Sequence, residues 1–338
     1  MPHDRLKHSK AVSITLAIRE TLRRRAGDRW LEWAARGIRQ TPVMKVAAGS
    51  KTAELHTMLG HQALAPYAIA LKSLLRFLDR SSLGVTVHSD GTLTAADTAV
   101  LNHHFPGIRV IDARAADERC LALFGQDSPH WRHRSRYFGL RRLMDTQIWR
   151  DADRIMNFDS DILCLNPPAE LQQWLSNGHS GLLIGQTNGS PSPEKLNGTK
   201  WEISPHRSDQ IQSQILSNLP ELAGRMGLPV RFLDGASAGL HCHTTELRLE
   251  RTIEFLQHCE QLRLPLGQWG TEQSVVVFLL SASGASRLDP RFYFNFFPDC
   301  EDRLGDAKVV HFIGLRRYHR WRYPRLAVGV VASLSSRH

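Results

Sequence analysis

Short apolar runs alternate along this chain with longer stretches in which apolar residues recur at helical spacing. The runs predict β-strands, and the strand at 154–157 ends just before two aspartates. The stretches predict helices, and Thr94 with Asp97 has the spacing of an N-terminal cap. Strand–helix alternation predicts an α/β fold with a Rossmann-like, mostly parallel central sheet, flanking helices and ligands at the strand carboxyl ends. The predicted strands are 54–59, 85–88, 108–111, 154–157, 229–233, 238–243, 292–297 and 309–313, and the predicted helices are 10–40, 62–79, 94–104, 117–124, 137–149, 245–259 and 271–280.

The same pattern divides the chain into three parts. Residues 1–50 are expected to form a basic helical extension and linker, 51–325 the α/β domain, and 326–338 a C-terminal tail. Residues 187–209 are poor in apolar groups and rich in Gly, Ser, Pro and Asn. Such a segment predicts a long mobile loop, and long loops beside a site often act as lids.

Composition narrows the class of protein. With 338 residues, 42% hydrophobic and 22% charged, the chain is typical of a globular protein. No apolar stretch reaches the length of a membrane helix, and the polar start lacks a signal-peptide pattern. Five scattered cysteines without Cys-x-x-Cys spacing favour reduced thiols in a cytoplasm over a disulfide frame or zinc site.

The net charge of +10 favours partners rich in phosphate, such as nucleotides, nucleic acid or an anionic membrane surface. No nucleic-acid-binding motif is present, so we expect no nucleic acid partner. The basic helix at 10–40 carries Trp30 and Trp33 among arginines. It is either a membrane-surface helix at the inner face of the membrane or an ordinary amphipathic helix packed on the domain, and the sequence leaves both open.

Asp159 and Asp161 are the most informative residues of the chain. They follow the apolar run at 154–157, and a second apolar run continues from Ile162. Alternation along one strand is expected to place both carboxylates on the same side. Two carboxylates so close repel each other unless a cation lies beside them, so the pair predicts a divalent metal site. The alternative for an isolated pair is a solvated strand end.

Several other short motifs occur in a definite order. Arg142-Leu143-Met144-Asp145 precedes the aspartates, while Trp269-Gly270-Thr271-Glu272-Gln273 and the His-x-x-Gly-x-x-Arg element from His311 to Arg317 follow them. With Asp159-Ser160-Asp161, this set resembles the metal-dependent glycosyltransferases of the GT-A fold, close to the glycogenin-like and lipopolysaccharide galactosyltransferase group. The resemblance spans roughly residues 54–325.

The resemblance implies a function and a site. Asp159, Asp161 and His311 would hold Mn²⁺ or Mg²⁺, and the donor substrate would be a nucleotide-diphosphate sugar, first of all a UDP-sugar. A hexose would be moved to a glycan or lipid-linked acceptor. The residues implied to bind the donor are Arg317 in place of the family's Lys, Gly314, Arg142, Asp90, and Ser237, where many relatives have Asn.

The implied catalytic residues are Gln273 and Glu272. The family group most resembled retains the anomeric configuration, with a Gln amide near the reacting carbon, and Gln273 matches that amide. An inverting enzyme would need a general base, for which Glu272 or Asp234 is the candidate. We expect retention.

Other classes fit the residues less well. A haloacid-dehalogenase-type phosphatase also places Asp-x-Asp after an apolar strand, but its motif opens the domain and has Thr or Val where Leu163 stands here. A nucleotidyltransferase would need a Gly-rich phosphate loop near the first strand. A catalytically inactive nucleotide-sugar-binding protein remains open. His241 and His243 share a strand face without a nearby acid, so we interpret them as structural.

Overall fold

The computed structural model describes residues 3–49, 51–177, 181–185, 194–196, 210–233 and 235–336, and it describes only the backbone for 3–19 and 194–196. The strands in chain order are β1 Ala53–Leu59, β2 Leu83–Ser89, β3 Arg109–Ile111, β4 Arg154–Phe158, β5 Ile162–Cys164, β6 Leu182–Gly185, β7 Glu194–Leu196, β8 Arg231–Leu233, β9 Ala236–His243, β10 Ser286–Arg287, β11 Tyr293–Asn295 and β12 Val309–His311. The α-helices are α1 His3–Arg36, α2 Leu64–Leu75, α3 Ala95–His104, α4 Ala113–Phe124, α5 Pro129–Arg136, α6 Phe138–Trp149, α7 Ala169–Asn177, α8 Ile211–Ser217, α9 Leu219–Arg225, α10 Leu249–Gln261, α11 Thr271–Ala282 and α12 Arg322–Ser335.

A central sheet with the order β3-β2-β1-β4-β9-β6-β11-β12-β5 runs through the molecule, and β10 pairs with β6. β1, β2, β3 and β4 are parallel, as are β6, β10, β11 and β12. β9 runs antiparallel to both β4 and β6, and β5 antiparallel to β12. The predicted α/β class, with a mostly parallel sheet and flanking helices, is therefore confirmed.

Two groups of buried side chains cover the sheet. One joins α1, α2 and α12 to it, and the other joins α8, α9, α10 and α11. The neighbouring residues Ile184 and Leu183 of β6 belong to the first and second group respectively. Because adjacent residues of a strand point to opposite faces, the sheet separates the two groups.

Both ends of the chain contribute to the first group. Leu31 and Ala34 of α1 pack there with Val330 and Leu334 of α12, and all four are buried. The segment expected as a tail from residue 326 thus continues as a packed helix. The boundaries at residues 50 and 325 stay predictions, although helices on either side of them share one core.

None of the helices in the described ranges is both long and apolar enough to cross a membrane. The loop expected at 187–209 lies outside the described residues except for β7, which pairs with β8. The segment around His130 and His133 has no strong periodicity, yet it forms α5, whose N-terminus is capped by Ser128.

Candidate active site

Asp159 and Asp161 lie in a tight turn between β4 and β5 and not on one continuous strand as expected. The Asp159 amide donates to the carbonyl of Gly239 in β9 (2.9 Å), and the Phe312 amide donates to the carbonyl of Asp161 (2.9 Å). The turn is therefore anchored on both sides by neighbouring backbone. The carboxylates converge because the chain bends between two strands, not because residues alternate along a single one.

His311 reaches the turn from a distant part of the chain. It ends β12, which pairs with β5 so that His311 lies opposite Ile162. Its Nε2 is 3.0 Å from Oδ1 of Asp161 and 3.5 Å from Oδ2 of Asp159. Its Nδ1 lies 3.2 Å from Oδ1 of Asn295. When Nδ1 donates to that amide oxygen, the lone pair of Nε2 faces the two carboxylates, as a metal ligand requires.

A glycine makes room for the imidazole. A Cβ atom at position 239 would lie 2.3 Å from ring atoms of His311. Any side chain at this point of β9 would push His311 away from the aspartates. Gly239 is therefore required at the point where β9 passes the imidazole of His311.

Two arginines complete the charge pattern. Arg142 of α6 contacts Asp159 and also donates from Nε to Oε1 of Glu272 (2.9 Å). Arg317 donates from Nη2 to Oδ2 of Asp161 (2.7 Å). Each carboxylate of the turn therefore has one arginine partner, and Arg142 links the turn to the start of α11.

The pKa values of the two aspartates shift in opposite directions. Burial raises the pKa of Asp159 and outweighs the opposing pull of Arg142 and His311. Burial acts the same way on Asp161, but His311 and Arg317 outweigh it and lower the pKa. Burial would lower the pKa of His311, yet Asp161 outweighs it and raises the pKa. A divalent cation would compete with the His311 proton for the same carboxylate oxygens.

The donor set fits a hard divalent cation. One ligand atom each from Asp159, Asp161 and His311 lies within 4.8 Å of the others, and they form the one such cluster of His, Cys, Asp or Glu in the described part of the chain. Two carboxylates and one imidazole suit Mn²⁺ or Mg²⁺, whereas zinc sites use more His or Cys. His241 and His243 are not part of this cluster.

The cluster lies in a cavity of about 1200 Å³. Gln273 lines it and donates from Nε2 to the carbonyl of Ala236 (3.2 Å). Burial raises the pKa of the Glu272 carboxyl more than Arg142 lowers it. Of the predicted site residues, the cavity brings together Asp159, Asp161, His311, Arg142, Ser237, Glu272, Gln273 and Gly314.

Two predicted donor-binding residues, Arg317 and Asp90, are not among the residues that line this cavity, although Arg317 contacts Asp161. Asp90 follows β2, two strands from β4, and its Oδ1 accepts from the amide and the hydroxyl of Thr92 (2.8 and 2.6 Å). It does not line the described cavity, so its role in donor binding stays a prediction. Asp234 lies outside the described residues.

Several residues that line the cavity were not predicted from the sequence as site residues. They include Tyr137, Gln210, Gln212, Phe232, Trp269 and Asn295. Asn295 could have been identified as a candidate site residue, because it is a polar amide inside the apolar run at 292–297. Tyr137 and the glutamines carry no local pattern that separates them from surface residues. Only the folding of α6, α8 and α11 around the cavity identifies them.

No protein-family model matches the chain, and no curated protein matches it either. Solved structures similar to it include the galactosyltransferase LgtC in complex with donor and acceptor sugar analogs, with 16% identity, a TM-score of 0.47, and coverage of 83% of this chain and 95% of that one. Mouse xyloside xylosyltransferase 1 has 15% identity, a TM-score of 0.46, and coverage of 81% and 99%. The S. cerevisiae mannosyltransferase Ktr4p in complex with GDP has 9% identity, a TM-score of 0.43, and coverage of 77% and 78%. At such identities and TM-scores the similarity assigns no activity to this chain, whose function has to be inferred from its own site.

Proposed function

We propose that the chain is a GT-A-type glycosyltransferase that moves a hexose from a nucleotide-diphosphate sugar, first of all a UDP-sugar, to a glycan or lipid-linked acceptor. One observation carries this proposal. Asp159, Asp161 and His311 converge in a cavity that is also lined by Glu272 and Gln273. The cavity therefore combines a cation site with polar groups that can contact a sugar, and its volume of about 1200 Å³ is enough for both substrates.

The charges around the cluster suit a diphosphate leaving group. A bound Mn²⁺ or Mg²⁺ supplies Lewis-acid stabilisation of the charge that develops on the leaving oxygens. Arg317 is the last residue of the His-x-x-Gly-x-x-Arg element. Its side chain contacts Asp161 of the cluster. Its planar fork can bind phosphate oxygens in bidentate fashion, as the Lys of the related motif cannot. Gly314 and Ser237 line the same cavity and are proposed donor contacts.

Retention is the stereochemical outcome that we propose. Arg142 donates from both Nε and Nη2 to Oε1 of Glu272, so this oxygen is already occupied by an arginine and is not open to an acceptor hydroxyl. The Gln273 amide lines the cavity without a charge of its own. In this role it orients the donor sugar or stabilises the positive charge that develops on it in the transition state.

Turnover with a panel of UDP-, GDP- and dTDP-sugars in the presence of Mn²⁺ tests the proposal. We expect at least one UDP-hexose to raise the melting temperature and to release nucleotide only with the divalent cation. NMR of the transferred product should show the anomeric configuration of the donor. Magnesium in place of manganese and a chelator are the matched controls.

Three results would contradict the proposal in different ways. Binding of no nucleotide sugar with either cation would reject the donor class. Binding without any release, even with added acceptors, would favour a catalytically inactive binding protein. Cation-dependent hydrolysis of phosphomonoesters without sugar transfer would favour the phosphatase alternative.

An anionic membrane surface is a further proposed partner. Leu22, Arg25, Arg29, Trp33 and Arg36 are all exposed, and Leu22 and Trp33 are each 60% exposed. Their spacing places them on one side of α1, opposite the buried Leu31 and Ala34. A stripe of arginines with two large apolar side chains is the pattern of a helix that lies on anionic lipid.

Arg29→Glu is therefore expected to weaken cosedimentation with phosphatidylserine vesicles by about 30-fold, since each basic residue near such a surface contributes about 1 kcal/mol and the reversal changes the charge by two units. Arg114→Glu on α4, whose side chain is 86% exposed, is the matched control and should have little effect. Equal binding of wild type to phosphatidylcholine and phosphatidylserine vesicles would reject the proposed electrostatic contact with anionic lipid.

A further inference from the structure

Trp269 is an unusually exposed tryptophan. Its exposed fraction of 69% is the largest among the large apolar side chains of the described residues. Leaving an indole in water forgoes the free energy of burying one of the largest apolar surfaces a side chain has. Trp269 also lines the cavity. An exposed indole at the edge of a substrate cavity is therefore a candidate binding surface.

The loop that carries Trp269 is held in a definite shape. Gly267 and Gly270 on either side have φ values of +91° and +95°, which favour glycine. A Cβ atom at Gly270 would lie 3.0 Å from the side chain of Gln212 on α8. The Thr271 amide donates to the carbonyl of Gln268 (3.1 Å), which closes the turn before α11. The indole is thus presented by a fixed turn packed against α8.

The cavity that Trp269 lines also carries several uncharged polar and aromatic side chains. Gln210, Gln212 and Gln273 contribute amides to the cavity lining, and Tyr137 and Phe232 contribute further rings. Glu272 and Gln273 come three and four residues after Trp269 in the sequence, in the first turn of α11. Amides and aromatic rings together match the chemistry of a pyranose, which has hydroxyl groups around its edge and an apolar face of C–H groups.

We propose that Trp269 is the stacking platform for the terminal pyranose of a carbohydrate acceptor, with the Gln210 and Gln212 amides facing its hydroxyl groups. This inference rests on the proposed function and narrows the acceptor to one that ends in a pyranose with an apolar face open for stacking. The apolar face of the acceptor sugar lies on the indole, and the attacking hydroxyl points toward Gln273. The platform acts on acceptor binding and not on the metal site.

Kinetics of Trp269→Ala and Trp269→Phe test the platform. We expect Trp269→Ala to raise the KM for the acceptor by about fivefold to tenfold, with a smaller change in kcat, because stacking on an aromatic ring contributes about 1 kcal/mol. Trp269→Phe should recover part of this loss, since a smaller ring still offers a face. Trp131→Phe changes a half-buried tryptophan of α5 that does not line the cavity, and it should match wild type. An unchanged acceptor KM in Trp269→Ala would overturn the proposal.

A second measurement does not depend on transfer. Lactose and maltose, titrated without donor, should change the tryptophan fluorescence of wild type and Trp131→Phe but not of Trp269→Phe. If this change occurs while no nucleotide sugar is turned over, the platform stands and the proposed transferase function fails. If transfer occurs but neither sugar changes the fluorescence and the acceptor KM of Trp269→Ala is normal, the platform fails and the transferase function stands.

Discussion

Asp161→Asn is expected to lower Mn²⁺-dependent nucleotide release by at least about 100-fold while the protein stays folded. Asp161 touches both His311 Nε2 and Arg317, at 3.0 and 2.7 Å. An amide keeps the shape of the carboxylate but removes the negative charge that a hard cation requires. The fold should survive, because the amide oxygen can still accept from Arg317 and one of two mutually repulsive charges is gone.

Nucleotide release and thermal unfolding, measured on the same preparations, separate loss of the site from loss of the fold. Asp127→Asn changes an exposed aspartate outside the cavity and should behave as wild type. His311→Ala should weaken metal binding less than the loss of an aspartate, because the imidazole is a neutral ligand. Undiminished Mn²⁺-dependent turnover in Asp161→Asn would refute the metal assignment.

The second large effect is a loss of stability in mild acid, caused by buried histidines of the sheet. His56, His88, His241 and His243 are all buried, and the first two rings stack, as do the last two. β1 and β9 flank β4, so that His56 and His241 both lie opposite Asn157. Four neighbouring imidazoles therefore lie in the interior, where a positive charge is poorly solvated.

Burial lowers the pKa of each of these four histidines, and that of His241 falls to about 3. A histidine with a lower pKa in the folded state binds more protons when unfolded. The stability it contributes is complete above its unfolded pKa near 6.5 and is lost as the pH falls below it. The pKa of His311 is raised by the neighbouring Asp161, so the stability that it contributes is complete below pH 6.5 and is lost only as the pH rises above that value.

His241, whose pKa falls to about 3, is expected to remove about 2 kcal/mol from the free energy of unfolding between pH 6.5 and 4.5, and the other three histidines act in the same direction. Several such histidines together remove a large part of the free energy of unfolding, which is roughly 5–15 kcal/mol for a typical domain. Urea unfolding at pH 7.5, 6.0 and 5.0 measures this loss. Ordinary carboxylates titrate mainly below this window, and Asp159 and Glu272, whose pKa values are raised, would stabilise the fold on acidification, so a loss of stability here belongs to the histidines.

Matched variants identify the groups responsible. His243→Gln removes one of the four buried imidazoles, and it should reduce the slope by about 1.4 kcal/mol per pH unit, the value for one proton. His103→Gln changes an exposed histidine and should leave the slope unchanged. Equal free energies of unfolding at pH 7.5 and 5.0 in wild type would contradict the prediction.

Local patterns in the sequence were enough for most elements of the fold. Most predicted helices and strands occur close to their expected bounds, as at β1, β2, α6 and α11. The cap of α3 is present as predicted, with Thr94 and Asp97 bonded to each other's backbone amides. The helices α5, α7, α8, α9 and α12 were not predicted. Those at α5 and α12 are basic or interrupted by proline, so packing and capping outweigh a weak periodic signal there.

The sequence by itself determined the α/β class and the acidic pair Asp159 and Asp161, because periodicity and a charged break after an apolar strand are local properties. Only the tertiary structure decided how the site is assembled. The pairing of β5 with β12 brings His311 to Asp161, and β9 passes the imidazole at Gly239, where no side chain fits. Arg142 contacts both Asp159 and Glu272, and Glu272 lies 130 residues after Arg142 in the sequence. Such contacts depend on which strands become neighbours, and strand order is set by burial across the whole sheet, which no local window of the sequence contains.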